Sequence, residues 1–108
     1  MTDKTVFQKI IDREIPAEIL FENDNFIIIN NIAPVAPIHY LVIPKARIPS
    51  IDAVTDEAAP IVGELFVCAA QFIRERGIKN FKLVFNGGKY LHVPHLHLHL
   101  LSGDDLHD

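Results

Sequence analysis

From residue 92 to residue 101 the chain reads His-Val-Pro-His-Leu-His-Leu-His-Leu-Leu, with His95, His97 and His99 at every second position and leucines between them. Successive side chains of a strand point to opposite faces, so this spacing predicts a strand with three imidazoles on one face and Leu96, Leu98 and Leu100 on the other. The leucine face demands a second layer packed against it. The imidazole face directs attention to chemistry, because imidazole titrates nearest neutrality and can act as nucleophile, acid, base or metal ligand. Exposed strand positions ordinarily carry threonine, lysine or glutamate, so three histidines in register read as functional and not as a merely solvated face.

The rest of the chain supplies the partners that such a strand needs. Val6, Phe7, Ile10 and Ile11 recur at helical spacing after Thr5, an N-cap residue type, and predict a short amphipathic helix ending before Pro16. Residues 17–22 and 26–30 read as strands of a hairpin joined by Asn23-Asp24-Asn25, residues that tolerate a left-handed turn. Residues 32–37 contain two prolines and cannot pair regularly, so they form a loop that delivers His39 to a strand over 40–43, closed by Pro44. Between Thr55 and Arg76, Ile61, Leu65, Cys68, Ala69, Phe72 and Ile73 follow helical spacing. This is the long helix, its regular part beginning near Ala58 because of Pro60, with Gly77 as its C-cap. A strand over 81–85, a turn at Asn86-Gly87-Gly88 and a last strand over 91–101 complete the pattern. Short connections between neighbouring strands predict an α+β domain: an antiparallel sheet of about five strands, one long helix and a short N-terminal helix.

With 108 residues the chain is expected to be one domain, 1–108, large enough for a core but too small to hold a separate cofactor module. The net charge is −4, and the scattered lysines and arginines form no stripe that would follow a nucleic-acid polymer. The N-terminus has no apolar signal core, and no stretch approaches the roughly 20 apolar residues that span a bilayer, so a soluble, cytoplasmic protein is expected. Cys68 is the only cysteine. Its apolar helical setting makes it core, not nucleophile.

Two chemistries fit the histidine face, and spacing does not choose between them. Alternate residues lie about 6.5 Å apart along a strand, so two imidazoles can converge on one zinc ion. Zinc would want further ligands and carboxylate support, and the nearest acids, Asp104 and Asp105, follow the strand. Alternatively one imidazole attacks phosphorus while its neighbours donate to the phosphoryl oxygens, which needs no metal or other cofactor.

The segment His95-Leu96-His97-Leu98-His99-Leu100-Leu101 resembles the signature of the histidine triad nucleotide-binding proteins. Phe7-Gln8-Lys9-Ile10-Ile11, Glu14-Ile15-Pro16-Ala17, Leu20-Phe21-Glu22 and the run from Ala36 to Lys45 are similar, in order and spacing, to its nucleoside phosphoramidase branch. The resemblance implies that His97 is the nucleophile, forming a nucleotidyl-imidazole intermediate that water hydrolyses to a nucleoside monophosphate. His95 and His99 would orient and polarise the phosphate, and His39 would complete the site and help to handle protons. Asn86 matches an asparagine beside the phosphate, with a turn-forming role as the plain alternative. A purine base would lie in an apolar slot lined by Phe7, Ile10, Ile15, Ile29 and Ile32, residues that are equally good core. The resemblance further implies a homodimer, with the long helix and the 81–85 strand at the interface.

Several positions depart from the branch. Asn31 stands where an aspartate commonly binds the ribose hydroxyls, keeping hydrogen-bonding capacity but losing the charge. The glycine-rich loop is shortened to Gly87-Gly88-Lys89-Tyr90, and His92 occupies the place of a small polar residue near phosphate or leaving group. Lys89 and His92 are candidates for recognising a further negative group. The sequence ends at Asp108 without the tryptophan-bearing extension of related phosphoramidases, so leaving-group preference is not expected to transfer. Three rival readings remain open: a nucleotide-binding regulator, a zinc-dependent hydrolase and a dinucleoside polyphosphate hydrolase.

Overall fold

The computed structural model describes residues 4–103, so the acids Asp104 and Asp105 lie outside the described residues. Helix α1, Val6–Ile11, begins as the sequence predicts: Thr5 is extended and its Oγ1 accepts from the Gln8 amide at 3.1 Å. The helix closes with Arg13 in the left-handed region, φ 63°, and the Glu14 amide bonds back to the Lys9 carbonyl at 2.8 Å. An arginine there costs on the order of 1 kcal/mol relative to glycine. Its guanidinium pairs with Glu22, which also accepts from Lys45 Nζ at 2.7 Å, so the strained turn is tied to the sheet.

Strands β1, Ile19–Glu22, and β2, Phe26–Asn30, form the expected hairpin. The turn is not left-handed. Asn23 Oδ1 instead accepts from the amides of Asn25 and Phe26 at 2.9 and 2.7 Å, so a side chain replaces the backbone turn bond. Strand β3, Ile38–Pro44, starts one residue before His39, and Pro44 is its last residue. The long helix α2, Ala59–Arg76, follows; it ends on Gly77 at φ 66°, with the Ile78 amide bonded to the Ile73 carbonyl at 3.1 Å. Strands β4, Lys82–Val84, and β5, Leu98–Ser102, complete one five-stranded antiparallel sheet in the order β1-β2-β3-β5-β4. The α+β architecture is therefore the one predicted. No helix among the described residues is long and apolar enough to cross a membrane.

Period two fixes the two faces of the sheet. Phe26, Ile28, Val42, Leu98 and Leu100 pack with Leu65, Cys68, Ala69, Phe72 and Ile73 of α2 into the larger core. Ile27, Ile29, Leu41 and Ile43 turn the other way and pack beneath Phe7 and Ile10 of α1. His39 and His99 belong to this second face, with the His97 ring beside that of His99, and among the described residues it is covered by the six-residue α1 together with Ile15, Ala17 and Val93. Leu98 and Leu100 are at most 1% exposed. Truncating either to alanine removes buried surface and leaves a cavity, at a cost of about 2–5 kcal/mol.

The last strand is shorter than its alternating pattern suggests. Residues 91–97 lie outside the ladder: Gly88–Tyr90 forms a turn of 3-10 helix, and the His95 amide bonds to the Val93 carbonyl across Pro94 at 2.8 Å. Proline has no amide donor to extend pairing. The chain is anchored instead by the Leu96 amide on the Ile48 carbonyl at 2.6 Å, which preserves the alternation that buries Leu96 with the α2 core.

Candidate active site

Strands β3 and β5 are neighbours in the sheet, and their register pairs Leu41 with His99 and His39 with Leu101. His39 and His99 are thus diagonal on one face, with His39 Nε2 2.8 Å from His99 Nδ1. His99 Nε2 lies 3.2 Å from the Asn86 carboxamide, delivered by the turn after β4. A carboxamide offers a donor at one end and an acceptor at the other, so it can serve His99 in either protonation state.

One fixed donor sets the tautomer of His39. The Val35 amide points at Nδ1 from 3.1 Å, and Asn31 Nδ2 lies 3.2 Å from Nε2 while Asn31 Oδ1 accepts from the Ala33 amide. A backbone amide can only donate, so neutral His39 accepts at Nδ1 and carries its proton on Nε2, where it donates to His99 Nδ1; the approach of Asn31 Nδ2 to that nitrogen is then a contact without a hydrogen bond. The imidazolium would oppose N–H to N–H at Nδ1. Burial, followed by the charge of His97, holds the His39 pKa below its ordinary value. Burial is also the main cause at His99, which His97 and His39 help to push down to about 4.

His97 is held differently. Its Nδ1–H donates to the backbone carbonyl of His95 at 2.7 Å, so the lone pair resides on Nε2. Burial lowers its pKa, and the His95 carbonyl partly opposes that shift. The Phe7 ring packs on its imidazole edgewise, with centroids 4.7 Å apart, and the His99 ring stands 4.9 Å away. The neutral form therefore predominates at pH 7 with its free nitrogen defined.

His97 and His99 open onto a cavity of about 310 Å³ lined by Phe7, Ile10, Ile15, Ile29, Asn31 and Ile32, together with His92 and Val93. Every residue predicted for the apolar slot is there, in two guises. Phe7, Ile10 and Ile29 are buried and also belong to the smaller core, whereas Ile32 is 96% exposed at the rim. Ala17, Leu41 and Val93 line the slot as well, and nothing in their residue type marks them for it. His92 is exposed on the irregular segment before β5. Among the described residues the slot's lining includes no lysine, arginine, aspartate or glutamate, so its described walls set apolar side chains beside the His97 and His99 imidazoles.

His95 is placed apart from its two companions. Its ring is 0% exposed and does not line the slot: Nε2–H donates to the Pro44 carbonyl at 2.7 Å, and Nδ1 faces Thr5 Oγ1 at 3.4 Å. Burial is the main cause of its lowered pKa. The three alternating imidazoles accordingly do not converge, and among the described residues no group of three His, Cys, Asp or Glu side chains is arranged to hold a metal ion. What the arrangement offers is one imidazole lone pair in an apolar slot, a hydrogen-bonded imidazole pair beside it and a carboxamide within reach.

The chain is similar to known proteins over nearly its whole length. A family model described as scavenger mRNA decapping enzyme C-term binding matches residues 4–107. An uncharacterised HIT-like protein of Synechocystis is 42% identical over 106 residues, covering 95% of this chain and 93% of its own. The purine nucleoside phosphoramidase of Escherichia coli is 36% identical over 110 residues, covering 98% and 92%. Among solved structures, a histidine triad protein from Clostridium difficile superposes with a TM-score of 0.92 at 33% identity, over 100% of this chain and 98% of its own. A HIT family hydrolase from Clostridium thermocellum gives 0.91 at 36% identity, over 100% and 97%.

Proposed function

The chain belongs to the histidine triad (HIT) family, and from that premise we propose that it is a cytoplasmic nucleoside phosphoramidase, a single HIT domain over residues 1–108. Its substrates are purine nucleoside phosphoramidates or related nucleotidyl compounds. The observation that carries this reading is the free Nε2 of His97, defined by the 2.7 Å bond from Nδ1–H to the His95 carbonyl and opening onto the slot. A neutral imidazole with a fixed lone pair is a competent nucleophile without a metal.

In the proposed reaction His97 Nε2 attacks phosphorus and the bond from phosphorus to the leaving amine breaks. The entering phosphate places negative charge beside His39 and His99, which favours their charged form, and this pair passes a proton to the departing amine. Water then attacks the nucleotidyl-histidine, returns a proton to the pair and releases the nucleoside monophosphate. The purine lies against Phe7, Ile10, Ile15, Ile29 and Ile32, and Asn31 and Asn86 serve ribose and phosphate. His92, exposed at the rim, and Lys89 nearby in sequence are suited to a further negative group. A homodimer is supported by the apolar side chains of Phe66, Val67, Phe81 and Leu83, all at least 37% exposed on α2 and around edge strand β4.

The test is turnover of adenosine 5′-phosphoramidate by chelator-treated wild-type protein and His97→Ala, with adenosine monophosphate quantified. Wild-type turnover that falls at least about a thousandfold in the variant is the expected result. Absence of wild-type turnover, with adenosine monophosphate still binding, overturns the enzymatic reading in favour of a nucleotide-binding role.

A further inference from the structure

Thr5 is 8% exposed and its single hydroxyl serves two elements. As an acceptor it takes the Gln8 amide and caps α1; towards the sheet the same oxygen meets His95 Nδ1 at 3.4 Å. The direction of that second contact is fixed from the far side of the ring. The Pro44 carbonyl can only accept, so His95 carries its proton on Nε2, and Nδ1 must accept the Thr5 hydroxyl proton. His95 is fully buried, and removing the hydroxyl leaves an imidazole acceptor with no water to replace it.

His95 in turn supplies the backbone carbonyl that holds Nδ1–H of His97. Phe7, two residues beyond Thr5 in the capped helix, packs its ring edge against both His95 and His97, with centroids 6.2 and 4.7 Å apart. Thr5 thus reaches the nucleophile by two routes, one through the His95 ring and carbonyl, the other through α1 and Phe7.

We infer that Thr5 and His95 form a positioning relay that sets the orientation and tautomer of His97, so that His95 serves the nucleophile from behind instead of touching the phosphate. The relay rests on the hydrolase reading for its catalytic consequence, but its hydrogen bonds are observable without any substrate.

The experiment pairs nitrogen-15 NMR of the histidine rings with kinetics on wild-type protein, Thr5→Val and Thr5→Ser. In the wild type, His95 is expected with its proton on Nε2 and His97 with its proton on Nδ1; the opposite tautomer of either ring overturns the relay, whatever the enzyme turns over. Thr5→Val keeps the branched shape and loses the hydroxyl. It is expected to shift the His95 Nδ1 resonance and lower kcat roughly tenfold or more, because small misplacements of a reacting group are expensive. Thr5→Ser is expected to restore both. If Thr5→Val raises only KM and leaves the His95 resonance in place, Thr5 merely caps the helix that walls the slot and the relay is wrong. Should Thr5→Val fail to fold, the wild-type tautomers and the Thr5→Ser kinetics still decide.

Discussion

At the residue scale burial lowers the pKa of four imidazoles in the free site. His97 is the decisive one, because its imidazolium has no lone pair to offer phosphorus. Its pKa lies below 6.5, burial being the cause and the His95 carbonyl a partial counterweight. The pH profile of kcat/KM for adenosine 5′-phosphoramidate reports the free enzyme. It should therefore show no decline as pH falls from 8 to 6.5 and decline only on further acidification, as His97 takes up its proton. A decline that already begins between pH 8 and 7 shows that the nucleophile is charged in the free enzyme and contradicts the buried, neutral assignment. Residue types are legible in the sequence here, since alternating histidines on one strand face point to imidazole chemistry by themselves. Their separate roles are not. Strand alternation groups His95 with His97 and His99, whereas the groups that divide them are the Pro44 carbonyl, which holds His95, and the His95 carbonyl, which holds His97. Backbone groups are common to every residue, so no side-chain pattern reveals which one faces an imidazole.

At the element scale, period two and period 3.6 predict which residues form the sheet and which cover it, because each face must be satisfied by an apolar layer. Element ends are less legible. Pro94 hints that the histidine strand begins late, but the bond that replaces the ladder, from the Leu96 amide to the Ile48 carbonyl, joins segments remote in sequence. The loop before β3 has a similar hidden constraint. Gly103, at φ 154°, follows β5, and a Cβ built on it would lie 2.6 Å from Pro37 Cδ and 2.8 Å from Cγ. A pyrrolidine ring cannot swing aside, and Pro37 is two residues from His39. Gly103→Ala is therefore expected to cost about 1–3 kcal/mol from backbone strain and overpacking. It should also displace the loop whose Val35 amide holds His39, lowering turnover roughly tenfold or more through misplacement of the pair. Urea melts and kinetics on this one variant check both effects. Unchanged stability and turnover would mean that the loop yields without transmitting anything to His39.

At the scale of the whole molecule, the four shifted histidines sum to a dependence of stability on pH. In an unfolded chain each protonates near pH 6.5, whereas the folded pKa values of His39, His95, His97 and His99 all lie lower, that of His99 at about 4. Between these limits the unfolded state binds more protons than the folded one, so stability is fully present above pH 6.5 and drains away as pH falls towards 4. Asp12 and Glu22, whose lysine partners lower their pKa values, act in the same direction but only below the ordinary carboxylate range, near 4. Loss between pH 6.5 and 4.5 is thus the signature of the histidine face. Urea midpoints measured in half-unit steps from pH 7.5 to 4.5 should fall steadily below 6.5 with little change in slope, and unfolding at pH 5.5 should take up protons. A flat midpoint across that window would mean that the native rings protonate as readily as those of the unfolded chain. The same burial that defines the lone pair of His97 would then be energetically inconsequential, because one desolvation penalty underlies both the acid sensitivity of the fold and the neutrality of the nucleophile.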